Sequence, residues 1–423
     1  MILIASFVVL VFLYSLSSKR LERTIVTAPI VFTSAGILLV LALPVLRELE
    51  ADRKAFLLIA EIGLVLTLFT DATRINLQVL KGNQKLPIRL LSVGMLLTIA
   101  LGALGAGFLL PHLTILEACI LAAILAPTDA GLGEVVVNSP MVPERIRQAL
   151  SVEAGLNDGM AVPFLMFFIA LAEAGSDGAG RVLMRFIVEQ LGFGALVGAA
   201  VGGAGGWLLG QAKKRGWMAG SLQQLGLVAL PLLCVMGSEH VRGSMFIAAY
   251  VAGLAVRIGF REAAEHSLEF TESWGRLLDF FVFFLFGLLV ATAWKHFDWR
   301  LLAYGVLSLT LVRMLPVAVS CIGTRLSRAT VVFMGWFGPR GLASIVLGLV
   351  YLEEESRLPG EPIISLAVMI TVLLSIFAHG FSTLPGIGLY AQRVAALRGD
   401  APEHMTVPAT ENAPSMPDEK SPT

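Results

Sequence analysis

Residues 124–133 read ILAPTDAGLG and place a Thr-Asp pair between a proline and two glycines. The stretch continues an apolar run that begins at Leu113 and is long enough, with its continuation, to cross a bilayer. The proline and glycines would unwind such a helix, and irregular backbone at membrane depth is tolerated only where it is buried in protein or lines a cavity. We therefore expect an interrupted membrane helix that exposes carbonyl groups beside Thr128 and Asp129.

The overall composition is that of a membrane protein. Of 423 residues, 56% are hydrophobic and only 15% are charged, whereas soluble chains carry about 25% charged residues. The net charge is zero, which gives no basic field for a nucleic-acid partner. The three cysteines lie in apolar stretches, and no CxxC or HExxH spacing occurs. We expect neither a disulfide framework nor a bound cofactor.

Apolar segments of about 20 residues predict an all-α polytopic protein with thirteen spans. The spans are placed near 2–16, 27–45, 55–71, 88–110, 113–133, 148–172, 186–210, 222–238, 243–259, 275–294, 300–323, 327–351 and 361–383. The transmembrane domain is thus predicted over 1–390. Residues 391–423 are rich in Pro, Glu, Ser and Thr towards their end and are predicted to be a disordered cytoplasmic tail.

The distribution of Lys and Arg predicts the orientation. Loops after odd-numbered spans, together with the tail, hold most of the basic residues of the loops. By the positive-inside rule the N-terminus lies outside and the C-terminus in the cytoplasm.

Charged residues near the middle of a span need a reason, because each costs on the order of 2.5–3.5 kcal/mol. Asp129, Asp158 and Arg340 lie there, and Glu153 lies about one turn inside span 6. Charges nearer span ends are expected to reach the interface: Asp71, Arg276, Asp279 and Arg313. Asp71 is the exception, because it would approach the centre if span 3 tilts or runs long.

Spans 5 and 6 together predict an ion site. Their acids, Asp129 and Asp158, can converge because a short loop joins the two spans. Glu153 and Asn157 are four residues apart and share a helical face, with Asp158 turned by about 100°. Pro163 is expected to interrupt the helix a turn later. Paired buried carboxylates bind protons or a small hard cation.

A second interruption is predicted in span 12, where residues 338–341 read GPRG. Spans 5 and 12 cross the membrane in opposite directions, and paired broken helices are typical of inverted-repeat transporters. Spans 1–6 would then match spans 8–13. Arg340 would offset exposed carbonyl ends and pair with Glu153, since a lone buried charge is costlier than a paired one.

At these motifs the chain resembles a known family. TDA at 128–130, EAGLNDG at 153–159 and WFGPRGLAS at 336–344 are similar to the NhaP-type sodium/proton antiporters, in the branch with an Asn-Asp pair in the sixth span. The resemblance covers essentially residues 1–390. It implies a secondary active antiporter of the inner (plasma) membrane, which exchanges protons for a monovalent cation by alternating access and serves pH homeostasis.

The resemblance also implies the roles of individual residues. Asp158 would be the carrier of the ion and the proton, and Glu153 and Arg340 a structural ion pair. The other site residues would be Asp129, Thr128, Asn157 and Asp71. A homodimer in contact with lipid is implied, with a moving core at about 87–173 and 300–390 and a scaffold at about 1–86 and 174–299.

Several alternatives remain open. Relatives often carry proline at the position of Ala130 and serine at that of Ala154, so the cation could be Na⁺, K⁺ or Li⁺. Asn157 in place of a second aspartate favours electroneutral exchange. A cation channel is the main rival, but a channel would place carboxylates in rings around an axis. A membrane enzyme is not favoured, because the sequence shows no nucleophile-base pair.

Overall fold

The computed structural model describes residues 2–21, 24–43, 53–74, 85–174, 180, 184–185, 187–260, 269–353, 358–399 and 401–404. Over these ranges the regular structure is helical, and no strand occurs in them. The prediction of an all-α protein is therefore confirmed.

Seven helices cover the described residues as far as position 174. They are α1 (Ile2–Leu21), α2 (Ala28–Ala42), α3 (Arg53–Arg74), α4 (Lys85–Leu109), α5 (Ile115–Ile124), α6 (Ala130–Asn138) and α7 (Glu144–Ala174). Helix α4 has π-helical hydrogen bonding over Leu90–Gly94. Helix α5 begins with a capping box, in which Thr114 and Glu117 bond each other's backbone N–H.

The helices of the second half follow a π-helical turn at Ile187–Phe193. They are α8 (Gly194–Lys214), α9 (Gly220–Val241), α10 (Met245–Gly259), α11 (Glu269–Ala293), α12 (Trp299–Leu309), α13 (Leu311–Ser320), α14 (Arg328–Trp336), α15 (Leu342–Glu353) and α16 (Glu361–Ala395). A short 3₁₀ turn lies at Pro402–His404.

Among the described residues, nine helical segments are long and apolar enough to cross a membrane. Four shorter apolar helices occupy the remaining predicted spans: Ala28–Ala42, Ile115–Ile124, Met245–Gly259 and Leu342–Leu352. Each of the thirteen predicted spans therefore coincides with an apolar helix, and the two short ones in spans 5 and 12 are the halves of interrupted helices.

Three local predictions need correction. Helix α7 continues through Pro163 rather than breaking there, as membrane helices can when neighbouring groups satisfy the freed carbonyl. Span 11 is interrupted at Thr310, whose φ of −106° and ψ of −95° separate α12 from α13. The predicted tail does not begin at 391, since α16 runs to Ala395 and the turn at Pro402–His404 buries Glu403. Residues 405–423 lie outside the described ranges.

Helices α8 and α10 show why span 7 is so rich in small residues. Gly194, Gly198, Gly202, Gly206 and Gly210 are all buried on one face of α8. A Cβ atom at several of these positions would overlap the backbone of α10. Small residues four apart therefore let the two backbones touch, as is common in membrane helix pairs.

Candidate cation and proton site

The two interrupted helices meet at their breaks. Helix α5 ends at Ile124 and α6 starts after Asp129, while α14 ends at Trp336 and α15 starts at Leu342. The backbone N–H of Asp129 donates to the carbonyl of Pro339 over 2.8 Å. This contact confirms that the two predicted interruptions face each other.

The Asp129 carboxylate fastens two half-helices. Its Oδ1 accepts a hydrogen bond from the N–H of Leu132 at 2.8 Å and so caps α6. Its Oδ2 accepts from the N–H of Leu342 at 2.5 Å, at the start of α15. A negative charge is favourable at a helix N-terminus, and here one charge serves two of them. A Cβ at Gly341 would overlap this carboxylate, so the position has room only for glycine.

We call the place where the two interruptions meet, residues 125–129 and 337–341, the crossing. Arg340 supplies the opposite charge there. The side chain is fully buried, and its Nη1 donates to the carbonyls of Ala126 and Pro127 at 2.7 and 2.8 Å. These carbonyls follow the C-terminus of α5, where a cation is favourable. The backbone N–H of Arg340 donates to Ser375 Oγ on α16 at 2.6 Å. The crossing therefore neutralises its own exposed backbone groups.

The predicted ion pair between Glu153 and Arg340 is wrong. Glu153 is paired with Arg313 by two hydrogen bonds, from Nη1 to Oε1 at 2.5 Å and from Nη2 to Oε2 at 2.9 Å. The two side chains are only 4% and 6% exposed. Arg313 was expected to reach the interface. It instead points inward from α13, which begins directly after the break at Thr310. The helix α13 continues through Pro316, so this proline does not mark the break at Thr310.

Asn157 links the break in span 5 to the long helix α7. Its Nδ2 donates to Thr128 Oγ1 over 2.6 Å. Asn157 and Asp158 are 3% and 7% exposed. Within the described part of the chain, the Oδ1 atoms of both residues lack a hydrogen-bond partner. Buried oxygens left free in this way are suited to a hard cation or a proton.

A cavity of about 1630 Å³ reaches Thr128 and Asp158, and four aspartates line it: Asp71, Asp129, Asp158 and Asp279. Asp71 packs against α7, since a Cβ placed on Gly155 would lie 3.6 Å from the Cβ of Asp71. The structure thus brings Asp71 to the predicted site. Asp279 was expected at the interface, but its Oδ1 is buried and has no partner among the described residues. Spacing gave no signal for this inward placement.

His379 stabilises the end of α14 from α16. The side chain is buried, with Nε2 2.9 Å from the carbonyl oxygen of Trp336 and Nδ1 3.1 Å from Ser375 Oγ. Ser375 Oγ also accepts from the backbone of Arg340. Helix α16 therefore bonds the second interruption at two points, at the end of α14 and at Arg340.

Comparison with known proteins identifies the family. The model of the family described as "Sodium/hydrogen exchanger, transmembrane" matches residues 5–386. A Na⁺/H⁺ antiporter of Schizosaccharomyces pombe is 28% identical over 315 residues, 66% of this chain and 66% of that one. The K⁺/H⁺ antiporter NhaP of Alkalimonas amylolytica is 26% identical over 332 residues, 78% of this chain and 56% of that one. The chain thus spans between about half and two thirds of these relatives.

A solved structure shows the same fold. The sodium proton antiporter MjNhaP1 from Methanocaldococcus jannaschii superposes with a TM-score of 0.69 at 19% identity, over 90% of this chain and 99% of that one. The chain belongs to the sodium/hydrogen exchanger family and has the fold of its NhaP-type members.

Proposed function

We propose that this protein is a secondary active antiporter that exchanges protons for a monovalent cation. One observation carries the proposal. Asp158 lies in a cavity beside the crossed interruptions with a carboxylate oxygen free, whereas both carboxylate oxygens of Asp129 accept backbone N–H groups and Arg340 Nη1 donates to two carbonyls. A charge that the fold does not use for its own stability is available for transport.

Each site residue has a proposed role. Asp158 holds either the cation or the proton. Thr128 and Asn157 supply neutral oxygens next to it and are already oriented by their mutual hydrogen bond. Asp129 chiefly maintains the crossing and offers its remaining lone pairs, and Asp71 faces the site from α3 across the cavity.

Exchange follows from sharing a single carboxylate. A carboxylate must lose its proton to bind a cation, so each ligand displaces the other. If the loaded site alternates between the two membrane faces, the two fluxes are coupled. With Asn157 neutral, one proton for one cation would move no net charge, and we propose electroneutral exchange.

The division into moving and fixed parts is the one that the resemblance implies. We propose a transport core at about 87–173 and 300–390, which carries both interruptions and the Asn-Asp pair. The scaffold, about 1–86 and 174–299, carries Asp71 and Asp279 on α3 and α11. Residues of both proposed units line the cavity.

The open side of the cavity is proposed to be cytoplasmic. Its lining includes Ser18, Arg74 and Ser139, which follow or end predicted spans 1, 3 and 5. Loops after odd-numbered spans are the basic ones, so the positive-inside rule puts them in the cytoplasm. We accordingly propose an inner-membrane protein with an external N-terminus, and a homodimer as the resemblance implies.

Sodium is the first candidate cation, and potassium is the second. The fission-yeast relative is named a Na⁺/H⁺ antiporter, while the bacterial relative that aligns with 78% of this chain is named a K⁺/H⁺ antiporter. Both ions are hard cations that take oxygen ligands, so the ligand types present serve either.

Transport in proteoliposomes tests the proposal. Internal pH would be followed while gradients of Na⁺, K⁺ and Li⁺ are imposed in turn. The parent should move protons against one or more of these cations, and Asp158→Asn should not. Glu173→Gln, an exposed change on the same helix α7, is the matched control and should transport like the parent. Cation flux without proton counter-transport would instead establish a channel.

A further inference from the structure

Four charged side chains lie at the edge of the cavity, and we call them the rim cluster: Arg74, Glu134, Glu272 and Arg276. The Nη2 atom of Arg276 donates to Glu272 Oε1 at 2.8 Å and to Glu134 Oε1 at 3.0 Å. Arg74 pairs with Glu272 as well. Arg276 is therefore shared between two carboxylates.

These two carboxylates belong to different units of the protein. Glu272 is four residues from Arg276 on the scaffold helix α11, and its other partner, Arg74, is on the scaffold helix α3. Glu134 is on α6, the second half of the interrupted helix in the transport core. The pair between Glu134 and Arg276 thus joins core to scaffold, while the other pairs of the rim cluster stay within the scaffold.

Helix α6 cannot move independently of the site. Its first turn is capped by Asp129, which also bonds the N–H of Leu342 at the start of α15. Glu134 follows Asp129 by about one and a half turns. Any displacement of the crossing relative to α11 would therefore separate Glu134 from Arg276, because a hydrogen-bonded ion pair is lost once its atoms part by about an ångström.

We propose that the Glu134–Arg276 pair is a latch that holds the core against the scaffold in the conformation described here, with this cavity open. It must release before Asp158 can be presented to the opposite membrane face. The inference rests on the proposed alternating-access function. It adds two positioning residues that touch neither the cation nor the proton, and that act only on the balance between conformations.

The latch should be weak. The side chains of Arg276 and Glu134 are 52% and 45% exposed, so water screens the pair. Ion pairs this accessible shift an equilibrium by about two- to fivefold. A weak latch suits a transporter that must leave this conformation in every cycle. A fully buried pair, such as Glu153 with Arg313, would hold too firmly to serve as one.

Pulsed electron–electron double resonance, which measures the distance between two spin labels, tests the latch without measuring transport. One label is placed by Ser139→Cys at the end of α6 in the core, and the other by Ser18→Cys on α1 in the scaffold. Both positions line the cavity. Labelled protein with only the three native cysteines gives the background. The relative populations of the distances report the balance between conformations.

One population has the label distance of the conformation described here. We expect Glu134→Gln and Arg276→Gln each to lower the ratio of this population to all others by about two- to fivefold. The double variant should match the single ones, because all three lose the Glu134–Arg276 pair, and the Arg276–Glu272 pair that two of them also lose lies within the scaffold. Glu272→Gln is the matched control: it removes the other carboxylate on Arg276 but leaves core and scaffold joined, so the population should be unchanged or rise.

Two results would overturn the latch. Unchanged populations in both Glu134→Gln and Arg276→Gln would show that the pair does not hold the conformation. If Glu272→Gln lowered this population as much as the other two variants do, the effect would come from the charge of the rim cluster in general. Failure of the proposed antiport is a separate outcome, since it would appear as absent proton flux in the unaltered protein while the distance populations are still measured.

Discussion

Two groups of buried polar side chains differ in whether their carboxylate and amide oxygens are hydrogen-bonded. At the crossing, both oxygens of Asp129 accept backbone N–H groups, and Arg340 donates to two carbonyls. One turn of α7 away from the Glu153–Arg313 pair, Asp158 and Asn157 each keep an oxygen without a partner in the described residues. The first group builds the broken helices, and we propose that the second binds the transported ion.

The difference gives a rule for reading charges in a membrane protein. Depth in the membrane does not distinguish the roles of the buried charges, since each is expensive to bury. These charges are Asp129, Arg340, Glu153 and Asp158. Only the partners separate a charge that stabilises the fold from one that is free to bind and release an ion. Substitution of the first kind should cost stability, and substitution of the second kind should cost transport.

The largest loss of stability is expected at the buried pair. Arg313→Ala leaves Glu153 buried without its partner, which typically costs about 3–5 kcal/mol. The thermal midpoint in detergent should fall clearly. Arg276→Ala is the control, because its half-exposed pairs are worth at most about 1 kcal/mol. Equal midpoints for the two variants would contradict the assignment of Glu153 to Arg313.

A loss of comparable size is expected when the crossing loses its shared cap. Asp129→Ala leaves the N–H groups of Leu132 and Leu342 without their acceptor, and each unsatisfied buried group costs about 1–3 kcal/mol. The unfolding midpoint should fall, and binding of the cation should weaken as the breaks lose their geometry. If Asp129→Ala were as stable as the parent but inactive, Asp129 would belong with Asp158 as a ligand and not with the crossing.

Two glycines of this region offer a matched comparison. A Cβ at Gly341 would overlap the Asp129 carboxylate, whereas a Cβ at Gly133 meets nothing within 4 Å. Gly341→Ala should destabilise the protein by about 1–3 kcal/mol through overpacking. Gly133→Ala, inside α6, should be neutral or stabilising by up to about 1 kcal/mol. Similar midpoints for both would mean that the crossing is looser than described.

The smallest effect is expected outside the membrane, at Glu403. Although burial alone would raise the pKa of its carboxyl, the N–H of Ser327 and the hydroxyl of Thr330 donate to it and lower the pKa below its ordinary 4.5. A depressed pKa gives stability that is present above about pH 4.5 and is lost as pH falls further. The free energy of unfolding of the parent should therefore exceed that of Glu403→Gln by about 1 kcal/mol at neutral pH.

Thermal midpoints measured from pH 7 downward check this. The gap between the parent and Glu403→Gln should close as the solution becomes acidic. A gap that stays constant with pH would show that Glu403 contributes through packing and not through its charge.

The sequence could predict what depends on depth and composition. The lengths of the apolar segments predicted the spans, and proline and glycine predicted the breaks at Pro127 and Pro339. The Asn-Asp pair predicted a candidate site, which stays a prediction. It could not predict partners, because the face on which a charge meets a neighbouring helix depends on packing between distant segments. That is why the sequence predicts Arg340 instead of Arg313 as the partner of Glu153, and places Asp279 at the interface rather than in the cavity.

The proline residues show the same limit. Pro127 lies in an interrupted helix and Pro163 in a continuous one, although both are in the middle of predicted spans. Around Pro127, two glycines and an aspartate that can cap a new helix favour a fresh start at Ala130. Around Pro163 the flanking residues are apolar, and the helix continues. The neighbours of a proline, more than the proline itself, decide the outcome.

The central claim is that Asp158 holds a proton or a cation, but not both. It is tested most directly by measuring proton release when Na⁺ or K⁺ is added to the purified protein in weakly buffered detergent solution. The account predicts about one proton released per cation bound by the parent and by Glu173→Gln, and none by Asp158→Asn. Cation binding without proton release in the parent, or unchanged release in Asp158→Asn, would contradict it.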